Sequence, residues 1–117
     1  MREEKPKGTK CHGINGLIKE GDEVIGNVAD KHVLDAAVIA SAQAVEHYEI
    51  TRYGALIAWA RQMGRNDFAL ILEENRAEER AADEKLTTIA QGRVNAQAGG
   101  HAKKVSYGSR KSRRKAA

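Results

Sequence analysis

The chain has 117 residues, 41% hydrophobic and 4% aromatic, with one Cys, one Pro and a formal net charge of +4, which suits one small domain rather than several. A single thiol excludes an internal disulfide framework and fits a reducing compartment. No apolar run approaches the ~20 residues of a membrane-spanning helix, and the opening MREEKPKGTK is charged where a signal peptide turns apolar, so the expectation is a cytoplasmic protein without membrane contact.

Residues 1–12 read as a polar lead-in, since Pro6 and Gly8 oppose an earlier helix start. From Ile14 a roughly helical pattern of Leu17, Ile18, Val24, Ile25 and Val28 is weakened by Gly13, Gly16, Gly21 and Gly26. Each interior Gly costs about 1 kcal/mol relative to Ala, so a short helix that needs tertiary support is expected. Asp30 is placed as an N-cap, and the chain then runs to Met63 with no Pro and Gly54 as its only glycine. At 1.5 Å per residue this helix is about 50 Å long. Gly64 supplies a C-cap and turn, and a second long helix follows from Asn66 or Asp67 to Gln91, fraying at Gly92 and Gly99-Gly100. No alternating β-branched or aromatic run competes. The fold class is therefore all-α, centred on an antiparallel hairpin of two long helices preceded by a short one.

Residues 93–117 read as a disordered basic tail. The stretch 101–117 holds seven Lys or Arg and no acid, so the rest of the chain, at +4 less 7, carries −3. One Val and one Tyr without periodicity bury too little apolar area to offset ordering entropy. Such a tail serves solubility, or contacts nucleic acid weakly through residues 103–115 in a salt-sensitive way.

At 100° per residue, Ile39, Ala42, Val45, Ile50, Tyr53, Leu56, Ile57, Ala60 and Met63 share one broad arc, and Glu46 and Glu49 lie inside it. His47 projects elsewhere. The second helix repeats the anomaly, because Asn75, Glu79 and Asp83 interrupt a stripe of Phe68, Ile71, Leu72, Ala82, Leu86, Ile89 and Ala90. A buried carboxylate must protonate or find a cation. Carboxylates converging from two antiparallel helices are how dinuclear iron or manganese sites are built in helical bundles. The competing reading makes Glu46, Glu49, Glu79 and Asp83 boundary residues that reach solvent or pair with Arg52, Arg80 or Lys85; spacing alone does not separate the two. Cys11 beside His12 has no second cysteine, so a reactive thiol is the weaker reading there.

The run Cys11-His12-Gly13-Ile14-Asn15-Gly16-Leu17-Ile18-Lys19-Glu20-Gly21, the motif Glu46-His47-Tyr48-Glu49-Ile50 with Tyr53-Gly54, and Glu78-Glu79-Arg80-Ala81-Ala82-Asp83-Glu84-Lys85-Leu86-Thr87 together resemble the YciE/YciF ferritin-like stress-protein family over residues 5–92. The resemblance implies a four-helix ferritin-like bundle with a carboxylate-bridged dimetal centre of Fe or Mn, and a stress-related role in redox chemistry or metal handling. Carried over residue by residue, it makes Glu46, Glu49 and Glu79 metal ligands, Asp83 a ligand or supporting partner, and Tyr53 a hydrogen-bonding neighbour. His47 is expected at the surface. The sequence departs from the family in having nothing that resembles the first two bundle helices, and in placing Arg76 where the family pattern is apolar.

Residues 13–92 are thus expected to form a truncated ferritin-like half-bundle. Wide inward stripes on only two long helices cannot cover each other, so a homodimer or higher oligomer is expected to complete the four-helix bundle and the metal site. The alternative is a non-catalytic helical oligomerisation module whose basic tail contacts nucleic acid.

Overall fold

The computed structural model describes residues 4–100, and all regular structure within them is helical. Helix α1 spans His12–Asn27, α2 Lys31–Gln62 and α3 Asn66–Ile89, followed by a π-helical turn at Ala90–Val94. Helical hydrogen bonding continues through residue 100. The expected boundary of the ordered domain at residue 92 is therefore too early, because an extra residue per turn carries the helix past Gly92 instead of ending it. The remainder of the basic tail, residues 101–117, lies outside the described residues.

Asp30 begins α2 as the sequence predicts: its Oδ1 accepts from the backbone N–H of His32 at 2.9 Å and of Val33 at 3.1 Å. Gly64 ends it with φ +70°. The Gly64 N–H donates to the Arg61 carbonyl at 3.0 Å and the Arg65 N–H to the Ala60 carbonyl at 2.8 Å. This pair of bonds is a Schellman motif, and its left-handed residue favours glycine. Arg65 then joins Asp67 through Nε and Nη2 at 3.1 and 2.9 Å and lies 3.8 Å from the Phe68 ring centre, while Arg61 pairs with Glu73 across the hairpin.

Two of the α1 glycines mark where that helix meets α2. A Cβ on Gly13 would stand 2.5 Å from the Tyr48 hydroxyl, and one on Gly21 would stand 3.3 Å from Ser41 Cβ. These residues weaken the isolated helix and permit its close approach. Helices α1 and α3 each pack on α2 and do not touch each other.

The core is small. Among the described residues the buried hydrophobics are Ile57, Ala60, Ala69 and Ala90, with Tyr53 and Leu72 packed against the first three. Leu56, Met63, Phe68, Ile71 and Ile89, expected to face inward, are instead exposed. Helices α1 and α3 together leave part of the α2 stripe uncovered among the described residues, at Leu56 and Met63.

Candidate metal centre

Glu46, Glu49 and Glu79 converge. One carboxylate oxygen from each lies within 4.8 Å of the others, and all three side chains are half-buried. The convergence follows from the hairpin: Glu46 and Glu49 are nearly one turn apart on α2, and the tight reversal at Gly64 phases α3 so that Glu79 reaches the same level.

Among the described residues the three acids have no cationic partner. Among the described residues the ion pairs are His47–Asp83, Arg61–Glu73 and Arg65–Asp67, and none reaches the triad. Arg52, a proposed partner on sequence grounds, donates from Nε to the Tyr48 hydroxyl at 3.2 Å. Burial pushes the Glu49 carboxyl above its ordinary range, and its hydrogen bond to Glu79 and repulsion from that group push it further. A hydrogen bond to Glu46 raises Glu79, with desolvation and repulsion from Glu46 and Glu78 adding to it, while the bond from Glu49 opposes the rise. Glu49 and Glu79 therefore hold protons more readily than ordinary carboxyls, with no cationic side chain among the described residues paired to them.

Glu46 supplies a separate indication. Its Oε2 is buried and has no hydrogen-bond partner. Such an atom is costly to bury, and an ion beside it would relieve the cost. An all-oxygen donor set suits Fe, Mn or another hard divalent ion rather than zinc held by thiolates. The residues present therefore fit the dimetal expectation in chemistry.

Asp83 falls outside the triad. Its Oδ1 accepts from Gln43 Nε2 at 3.1 Å and its Oδ2 lies 2.9 Å from His47 Nε2, while Gln43 also donates to Thr87 Oγ1 at 2.8 Å. The four residues clasp α2 to α3 one turn beyond Glu79. His47 had been expected at the free surface. It remains exposed, yet it contacts α3 because that helix packs against the Gln43–His47 flank rather than squarely over Glu46. Tyr53 sits beside the acids, and burial followed by repulsion from Glu49, Glu79 and Glu78 holds its hydroxyl in the protonated form to higher pH than usual. Arg76 is half-buried, with its guanidinium passing over Gly54.

A cavity of about 480 Å³ opens next to Glu49, lined also by Cys11, Tyr48, Arg52, Tyr53 and Leu56. Sequence reasoning missed this grouping. Cys11 Sγ lies 3.3 Å from the Tyr48 hydroxyl. The backbone N–H of Ile14 lowers the thiol pKa most, followed by Tyr48, then the Gly13 N–H and Arg52. Its signal was available only as a cysteine before a glycine-rich helix start; the 37-residue separation from Tyr48 hid the rest.

Comparison with known proteins places these features in context. The model of a family described as a domain of unknown function, DUF892, matches residues 1–99. The protein YciF of Escherichia coli is 48% identical over 94 residues, covering 80% of this chain and 57% of the relative. Its crystal structure, described as that of a stress protein, superposes with a TM-score of 0.73 at 46% identity, over 81% of this chain and 60% of that one. YcfI from Rhodopseudomonas palustris gives a TM-score of 0.70 at 58% identity, over 74% of this chain and 55% of that one. The chain spans just over half the length of the relatives it matches.

Proposed function

This chain belongs to the DUF892 family, and we propose that it binds iron or manganese through Glu46, Glu49 and Glu79 in a stress-related role. The observation that carries the reading is the partnerless, buried Glu46 Oε2 within a cluster of three carboxylates that no cationic side chain among the described residues pairs with. Its similarity to a protein described as a stress protein supports the stress association.

Bound there, a pair of such ions would supply electrons to dioxygen or peroxide, the chemistry that oxygen-rich dinuclear centres in helical bundles provide. The chain's own residues do the rest. Glu46, Glu49 and Glu79 provide the oxygens, and any proton that the raised Glu49 and Glu79 carboxyls hold in the metal-free state must leave as the ion arrives. Gln43, His47, Asp83 and Thr87 fix the spacing of α2 and α3, and so the gap across which the acids face each other. Tyr53, anchored on the Ile57–Ala60–Ala69 cluster, lines the cavity beside Glu49 with its hydroxyl kept protonated by the neighbouring acids.

The test is titration of chelator-treated protein with Mn²⁺ under anaerobic conditions, followed by calorimetry and thermal unfolding. Saturable binding that raises the unfolding temperature and is lost in Glu49→Gln supports the proposal, because a ligand of the native state must stabilise it. Absence of binding to well-folded protein would refute it.

A further inference from the structure

The α2–α3 hairpin leaves one face open, and this face is continuous with the acids. Leu56, Trp59, Met63, Phe68 and Ile71, exposed by 42, 61, 72, 48 and 57%, line an apolar groove of about 340 Å³ near the hairpin turn. Leu56 also lines the cavity that contains Glu49, so the groove adjoins the cavity beside the carboxylate cluster. At about 200 Å² per large side chain, the five leave on the order of 500 Å² of apolar area to water, more than isolated surface hydrophobics explain. That is more than half of the ~800 Å² per partner that a standard interface buries. Among the described residues the chain has no large side chain exposed by less than 2%, so its apolar side chains gain burial from whatever covers this face.

The acids select the occupant. Three carboxylates offer six oxygens, whereas two octahedral ions present about twelve positions. An uncharged apolar partner would seal Glu46, Glu49 and Glu79 against a low-dielectric surface and raise the cost of their charge. A second copy brings the same apolar area and a second set of carboxylates to the same level. Resting on the metal reading above, we propose that two copies of this chain dock through the open α2–α3 face about a twofold axis near Glu49, each contributing Glu46, Glu49 and Glu79 to one shared site. The interface is isologous, so each exposed groove is closed by the equivalent surface of the other copy.

Sedimentation of the full chain without metal tests the interface. The expected species is a dimer of about twice 12.8 kDa. Met63→Glu combined with Ile71→Glu places charges in the groove and is expected to give a monomer of unchanged helical content, both positions being exposed. Leu70→Glu is the control: Leu70 is also exposed, but nine residues before Glu79 it stands on the opposite side of α3, and the variant is expected to stay dimeric. A wild-type monomer at tens of micromolar, or a dimer indifferent to the charges at Met63 and Ile71, overturns the proposal. Mn²⁺ is expected to tighten the dimer at least tenfold, with the gain lost in Glu49→Gln. Mn²⁺ binding by a monomer overturns the shared site and leaves the metal reading intact. A dimer that binds no Mn²⁺ refutes the metal reading and leaves the interface standing.

Discussion

Replacing Glu79 by Gln is expected to stabilise the metal-free protein near neutral pH, against the usual direction for altering a half-buried residue. Glu79 is hydrogen-bonded to both Glu46 and Glu49, and one oxygen from each of the three lies within 4.8 Å of the others. Two full charges at that distance repel by about 3.5 kcal/mol at an effective dielectric of 20 and by just under 1 kcal/mol in bulk water. The groups are half-exposed, and the raised Glu49 and Glu79 carboxyls carry less than full charge, so solvent screening leaves a net gain on the order of 1–2 kcal/mol. That corresponds to roughly 5–10 °C in unfolding temperature for a domain of this size. Because the Glu49 and Glu79 carboxyls are raised in the folded state, the native protein holds protons that the unfolded chain releases. Their favourable contribution is present below the ordinary carboxylate pKa of about 4.3 and is lost as pH rises through the higher folded values. Circular-dichroism melts of both proteins, in chelator and at one protein concentration, should therefore diverge at pH 7.5 and converge near pH 4. Adding Mn²⁺ should reverse the order, since a ligand at a hundred times its Kd gives about 2.7 kcal/mol to wild type and little to the variant. A Glu79→Gln protein less stable than wild type at pH 7.5 in chelator would show that the acids are not in conflict, and the electrostatic reasoning would fail.

Three further outcomes follow from local geometry. Gly54→Ala should raise stability by up to about 1 kcal/mol in chemical denaturation, because a Cβ there meets the Arg76 guanidinium only at an ordinary 3.8 Å and helix propensity improves. Gly13→Ala should do the reverse despite the same propensity gain, since its Cβ would overlap the Tyr48 ring and hydroxyl; faster amide exchange confined to α1 would register the loss of docking. Cys11 should react with iodoacetamide at lower pH than an ordinary thiol, and Tyr48→Phe should shift that profile upward by removing one of the groups that favour the thiolate.

The sequence made the hairpin readable because its signals are local. Asp30 followed by a long stretch free of Pro, and Gly64 at the reversal, each act within a few residues of themselves. Periodicity likewise placed Glu46, Glu49, Glu79 and Asp83 inside apolar stripes, but spacing alone did not separate a metal-binding set from boundary residues. Periodicity gives a face but not the partner's angle of approach. Helix α3 packs toward Gln43 and His47, so Asp83 was drawn into a clasp rather than into the triad, and His47 acquired a partner its helical phase did not suggest. The glycines of α1 illustrate a second limit. Gly13 and Gly21 count as helix-weakening in isolation, and only contact with Tyr48 and Ser41 reveals them as positions where bulk is excluded.

The reversal at Gly64 has an implication for which changes in chain length the fold tolerates. Three residues, Met63 to Arg65, separate the last residue of α2 from the first of α3, and two backbone bonds fix their path. Inserting or deleting one residue just beyond the turn, inside α3, rotates everything downstream by about 100° and slides it 1.5 Å. Glu79 would then swing out of register with Glu46 and Glu49, and Ala69 would leave its place against Ile57 and Ala60. Length variation is thus confined to places such as the Val28–Ala29 link, where a slip leaves the α2–α3 phasing untouched.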